Sequence, residues 1–137
     1  MFIRSILESS AVVWHSSLSI GNSNDLERIQ KSAVRIILND RNLEYDQALS
    51  RLSLDTLEKR REKLCLAFAK NCLKIEKAKT FFPVNKTERN YQTRNFEEYR
   101  VNPFNTERYK KSAIPYLQNL LNNEDLEKRN FLRFRGV

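Results

Sequence analysis

Nucleophiles, proton carriers and metal ligands are scarce in this chain, whereas cations are plentiful. One histidine, His15, and two cysteines, Cys65 and Cys72, stand against 25 lysines and arginines and 17 carboxylates. A lone histidine and two thiols cannot assemble a structural zinc site. Cys65 and Cys72 fall seven positions apart on an expected helix, about 10 Å along its axis, which is too far for a disulfide. They read as small core residues in a reducing compartment. The sequence has no glycine-rich phosphate loop, no nucleophile with a base partner, and no pair of carboxylates in an apolar strand context. His15 follows Trp14 near the end of an apolar segment and is expected to serve terminal helix carbonyls. No catalytic residue, metal or cofactor is therefore expected.

What remains is cationic chemistry. A formal charge of +8 and a pI near 9.7 favour an acidic partner, most simply nucleic acid, although a membrane surface attracts the same groups. Two stretches order the cations. Between Asn24 and Leu38, Leu26, Ile29, Ala33, Ile36 and Ile37 fall within an arc of roughly 80°, with Arg28, Lys31 and Arg35 on the opposite side. From Leu57 to about Ala78, Leu57, Leu64, Phe68, Cys72 and Ile75 share an arc of about 80°. Lys59, Lys63, Lys70, Lys74 and Lys77 share one of about 60° nearly opposite. Each pattern specifies a helix that buries an aliphatic stripe and turns ammonium and guanidinium groups outward. Arg61 breaks the second pattern and points to the apolar side, where it either snorkels or pairs.

These helices need caps and neighbours. Ser23 and Asn24 suit an N-cap with Asp25 and Glu27 in the first turn, and Ile20 can act as a staple from outside. Asp55 and Glu58 resemble a capping box for the second helix. Phe2 to Leu18 reads as a helix that frays at Ser9 and Ser10 and carries an apolar face needing cover. Tyr45 to Leu52 reads as a short helix with Ala48, Leu49 and Leu52 inward. Between Phe81 and Asn105 the helical period is lost, and Phe81, Phe82, Tyr91, Phe96 and Tyr99 are available to pack the connection. Short extended pieces are expected near Tyr99 to Val101 and Arg108 to Lys110. Ser112 precedes a helix through Leu121, with Pro115 in its first turn, and Glu124 to Val137 reads as a frayed helix or tail.

The expected fold is all-α: a small helical, thumb-like bundle over residues 1–79, an irregular connection over 80–105, and a C-terminal helix and tail over 106–137. No stretch approaches the roughly 20 apolar residues of a membrane span, and no secretory signal is evident. An intracellular setting, nuclear or cytoplasmic, follows as an expectation.

Three pieces in order, Arg4-Ser5-Ile6-Leu7-Glu8, Val13-Trp14-His15, and Leu26-Glu27-Arg28-Ile29-Gln30-Lys31 with Ala33-Val34-Arg35-Ile36-Ile37, resemble the segment just after the palm in LINE-type (non-LTR) retrotransposon reverse transcriptases. The resemblance continues through Leu57-Glu58-Lys59-Arg60-Arg61 with Leu64-Cys65, Tyr91-Gln92-Thr93-Arg94-Asn95, and Thr106-Glu107-Arg108-Tyr109 with Ser112-Ala113-Ile114-Pro115. It implies a helical thumb and connecting region that grips an RNA/DNA template-primer duplex. The palm signature, an aromatic residue followed by paired aspartates, does not occur in this sequence. The implied function is that of a non-catalytic fragment of an RNA-directed DNA polymerase, with Arg28, Lys31, Arg35, Lys59, Lys63, Lys70 and Lys74 as phosphate contacts. A different reading is a helical interaction module, or an inert retroelement remnant, without nucleic-acid binding. It meets a missing palm domain, or a second copy, through Phe2, Ile6, Val13 and Trp14. A helix-turn-helix over Tyr45 to Leu52 and Asp55 onward is a third reading, but its lysine-heavy second helix offers no base-reading set.

Overall fold

The computed structural model describes residues 2–40, 42–85, 98–101, 103 and 105–135, and side chains between 5 and 128. The fold is all-α. In chain order the elements are α1 (Phe2–Leu7), α2 (Ala11–Trp14) with a 3-10 turn (His15–Ser17), α3 (Ile20–Leu38), α4 (Tyr45–Arg51), α5 (Leu57–Cys72), α6 (Glu76–Lys79), α7 (Glu107–Lys110) and α8 (Ala113–Arg135). Two compact units, 1–64 and 65–137, divide inside α5.

In the first unit the expected opening helix is broken at its serines. Ser10 takes a left-handed conformation, φ 53°, and the Trp14 indole N–H closes the break by donating to the Ser9 carbonyl at 2.9 Å. The next helix starts earlier than the Ser23 and Asn24 caps suggest. Ser19 is itself a competent cap, its Oγ accepting from the Asn22 N–H at 3.2 Å, so Gly21 lies in the first turn. Ile20 is then a helical residue, 83% exposed, and no staple. Asn39 ends α3 in the left-handed region, φ 49°.

The rotation of α3 also differs from the expectation. Gln30 and Val34 are buried, while Ile29, Ile36 and Ile37 are 47%, 79% and 68% exposed. The reason is a polar network. The Glu27 carboxylate accepts from the Tyr45 hydroxyl at 2.5 Å and from the Leu57 N–H, an otherwise open donor at the start of α5, at 3.1 Å. Gln30 Nε2 donates to the Tyr45 hydroxyl at 2.9 Å and to the Asp55 carbonyl at 3.2 Å. Satisfying these groups fixes which side of α3 faces α4 and the start of α5, and the isoleucines are carried outward. Below the network, Val34, Ala48 and Leu49 form a core against which Leu38, Leu43, Leu52 and Leu54 pack. The inward positions expected for α4 are thus found.

At the end of α4, Leu54 N–H bonds the Leu49 carbonyl at 2.9 Å around Ser53, which has φ 52°. This is the position at which glycine is favoured after a helix. A left-handed serine costs about 1 kcal/mol, part of which glycine gives back as chain entropy. Ser53→Gly is therefore expected to stabilise by about 0.5 kcal/mol, read as a small rise in denaturation midpoint. A fall would show that the serine side chain is needed.

On α5 the buried positions are Leu57, Arg61, Cys65 and Ala69, a stripe of every fourth residue. Leu64, Phe68 and Ile75, expected inside, are 37%, 47% and 56% exposed, and Cys72 is half-buried. Large apolar side chains dominate an arc drawn from hydropathy, whereas here Leu57 is followed on the inner face by an arginine and two small residues. The cap is Thr56, whose Oγ1 accepts from Lys59 N–H at 3.3 Å, and Asp55 turns instead to Lys63. The helix stops at Cys72, so Lys74 and Lys77 lie beyond it.

In the second unit the long connection is held at its ends. Asn85 N–H donates to the Glu98 carbonyl and Arg100 N–H to the Pro83 carbonyl, both at 2.8 Å, around an antiparallel Val84 and Tyr99 bridge. Phe82 is buried and meets the Tyr99 ring edge-on at 6.5 Å. Two buried amides of α8 fasten this pair. Gln118 donates to the Phe81 carbonyl at 2.7 Å, and Asn122 both accepts from and donates to the Tyr99 backbone at 2.9 Å. Tyr91 and Phe96 lie outside the described residues. Arg108 to Lys110, expected to be extended, belong to α7, where the Thr106 hydroxyl caps the Tyr109 N–H. The helix expected to end at Leu121 runs unbroken to Arg135. The Glu124 and Lys128 pair, one turn apart at 3.1 Å, supports the continuation.

Candidate nucleic-acid interface

The seven cations singled out by sequence fall into different environments. Arg28 is exposed, with Nη1 3.3 Å from Asp25 Oδ1. Lys31 is half-buried, its Nζ 5.7 Å from the centroid of the Tyr45 ring. Arg35 is exposed beside a cleft of about 460 Å³ shared with Ser32, Ile36 and Asn39. The α3 cations are thus not one row facing away from an aliphatic stripe: Lys31 leans toward α4, and Arg35 borders the exposed isoleucine.

On α5, Lys59 is exposed and Lys63 is paired with Asp55 at 2.5 Å. Lys70 pairs with Glu124 at 2.7 Å, and Lys74, past the helix end, bonds the Asn71 side-chain oxygen at 3.2 Å. The hydrogen bond from Lys70, with a further one from Lys128, holds the Glu124 carboxyl below its usual range against a smaller opposing effect of burial. Three of the seven, Arg28, Lys63 and Lys70, therefore already have a carboxylate. The exposed pairs of Arg28 and Lys63 are worth about 0–1 kcal/mol each, so a phosphate can displace them.

The balance of charge was not visible from helix faces. Residues 1–64 carry ten cations and nine acids, a net +1, whereas residues 65–137 carry fifteen and eight, a net +7. Within the second unit Lys74, Lys77, Arg108 and Lys111 are exposed, and none forms an ion pair among the described residues. Lys79 is tied to Glu76, and Lys110 lies 3.8 Å from Glu107. Counting charge by segment, rather than by helical face, is the signal that picks out Arg108 and Lys111.

Arg61 is the cation that does not face solvent. It is 0% exposed. Its Nε donates to His15 Nδ1 at 3.3 Å, its Nη2 to the Ser23 hydroxyl at 3.0 Å, and its guanidinium lies 5.8 Å from the centre of the Trp14 ring. Nη1 makes no hydrogen bond among the described residues. The neighbouring Arg60 is held by Glu8 at 2.5 Å. Arg61 is thus a buried spacer between α5, the 3-10 turn and α3, outside any phosphate contact.

His15 Nδ1 is correspondingly an acceptor toward Arg61. Burial, and then the charge of Arg61, push its pKa below the ordinary 6.5, while Glu58 pulls the other way. The folded state therefore binds a proton less readily than the unfolded chain, and the stability this contributes is present above the unfolded value. It is lost as pH falls below about 6.5 toward the lowered folded value. Thermal midpoints are expected to drop between about pH 7.5 and 5.5, and His15→Asn, whose side-chain oxygen can still accept from Arg61, should flatten that drop. An equally steep dependence in the variant would assign it to other groups.

Among the described residues no group of histidines, cysteines and carboxylates can hold a metal ion, and no helix is long and apolar enough to cross a membrane. Of the segment expected to meet a palm domain or a second copy, Ile6 and Val13 are each 71% exposed, Trp14 is half-buried over Arg61, and the Phe2 side chain lies outside the described residues. No protein-family model, curated protein or solved structure matches the chain.

Proposed function

We propose that this chain is a non-catalytic, thumb-like segment of the LINE-type reverse transcriptase kind that it resembles, gripping a template-primer duplex by its phosphates. The reading is supported above all by the net +7 of residues 65–137, with Lys74, Lys77, Arg108 and Lys111 exposed. Arg35 and Lys59 are exposed cations of the first unit. Cations on helices release the counterions condensed on nucleic acid and carry no sequence information by themselves. Binding should thus follow backbone charge and be indifferent to base order. Lys63 and Lys70 contribute by exchanging a carboxylate for a phosphate, Arg28 does the same more weakly, and Lys31 reaches a phosphate only by leaving Tyr45.

Fluorescence anisotropy with an end-labelled RNA–DNA hybrid, at about 50 mM salt, tests the proposal. Two hybrids of equal length and unrelated sequence should bind alike. No binding to either, or a strong preference between them, would count against it.

A further inference from the structure

We infer that the Glu124 carboxylate sits in the seat of a nucleic-acid phosphate and keeps it closed until a duplex displaces it. The inference rests on the phosphate grip proposed above and adds two residues to it, Lys128 as a contact and Glu124 as a brake. Lys70, in the last turn of α5, and Lys128, in α8, reach the same atom: their Nζ groups lie 2.7 and 3.1 Å from Glu124 Oε1. All three belong to residues 65–137, the unit that carries most of the net charge. Two ammonium groups converging on one anionic oxygen are what the two free oxygens of a phosphodiester require, and the exchange replaces one negative charge by another. Both lysines are exposed, so a phosphate can reach them from solvent, whereas Glu124 is half-buried.

The brake follows from what the exchange leaves behind. The hydrogen bond from Lys70, and then the one from Lys128, hold the Glu124 carboxyl below its usual range, so at neutral pH it competes for the two lysines as a full charge. Once a phosphate has taken them, Glu124 stands beside the nucleic-acid backbone without its partners. It then repels that backbone and draws a cation back from solution, which offsets part of the counterion release that drives binding. The parent chain should therefore bind less tightly, and with a shallower salt dependence, than Lys70 and Lys128 would allow if Glu124 were neutral.

Anisotropy titrations of the full 137-residue chain with a labelled RNA–DNA hybrid test this. Glu124→Gln should raise affinity about threefold or more at about 100 mM salt, and steepen the slope of log affinity against log salt by about 1–2. Adding Lys128→Gln should cancel most of that gain. Glu127→Gln removes the same charge from an exposed acid of α8 that has no ion pair among the described residues, and should change affinity much less. If Glu124→Gln lowers helicity by circular dichroism, Lys128→Gln in the parent decides: the side chain is exposed, and its loss should weaken binding about twofold or more. No gain from Glu124→Gln at unchanged helicity, an equal gain from Glu127→Gln, or a parent affinity that Lys128→Gln does not move would each overturn the inference while leaving the phosphate grip intact. A parent chain that binds no hybrid would overturn both.

Discussion

Arg61→Ala is expected to destabilise the chain by about 2–4 kcal/mol, whereas Arg61→Met should fall within about 1 kcal/mol of the parent. The contrast follows from the burial of the side chain and the incomplete pairing of its guanidinium. Arg61 is 0% exposed, so alanine leaves a cavity between α5, the 3-10 turn and α3, and strips His15 Nδ1 and the Ser23 hydroxyl of their donor. Methionine fills much of the same volume and can lie against the Trp14 ring. It also removes a buried charge that has no carboxylate among its hydrogen-bond partners and an Nη1 without an acceptor among the described residues. At roughly 2–4 °C per kcal/mol for a chain of this size, alanine should lower the melting midpoint by about 10 °C. A methionine variant as unstable as the alanine one would show that the bonds to His15 and Ser23, and not packing, hold this junction. An alanine variant as stable as the parent would mean that the arginine is not a core residue at all.

The second large effect concerns binding. Changing Lys59, Lys63, Lys70 and Lys74 together to glutamine should reduce affinity for an RNA–DNA hybrid at least tenfold at low salt, with helicity by circular dichroism unchanged. Each phosphate contact adds about 0.9 to the slope of log affinity against log salt, and four lost contacts should lower it by about 2–4. The lower figure applies because Lys63 and Lys70 spend part of their charge on Asp55 and Glu124. Their removal also bares those two acids, which repel the duplex. A triple change of Lys77, Arg108 and Lys111 in the more basic unit should cost a similar amount. If the triple change abolishes binding and the quadruple leaves it intact, the grip lies wholly beyond α5, and the helix-face reading is wrong.

How the sequence encodes this fold is clearest where one rule acts alone. The all-α class, α4 with Ala48 and Leu49 inside, the serine break before α2 and the position of Pro115 near the start of α8 all follow from composition, periodicity and cap chemistry. The rotation of α3 does not, because it is set by polar groups that a hydrophobic arc assigns to solvent, and on α5 the small Cys65 and Ala69 lie inside where Leu64 and Phe68 were expected. Glu27 and Gln30 face inward to serve Tyr45 and the open N–H of Leu57, and Arg61, which the helical arc already turns to the apolar side, is fully buried there. Only partners distant in sequence reveal this, Tyr45 and Asp55 for Gln30, His15 and Ser23 for Arg61. The length of α8 was hidden for a similar reason: the mixed charges after Leu121 read as a frayed helix or tail, but Glu124 links Lys70 to Lys128 within an unbroken helix. Faces of single helices also hide how charge is divided along the chain, since seven of the eight net charges belong to residues 65–137.

Everything functional rests on cations meeting phosphates. The most direct measurement is therefore the affinity of the intact chain for an RNA–DNA hybrid across a salt series from about 50 to 200 mM. A linear fall in log affinity of roughly 10³-fold or more over that range, equal for hybrids of unrelated sequence, is the expected result. Undetectable binding at the low end, or an affinity that salt does not move, would contradict it.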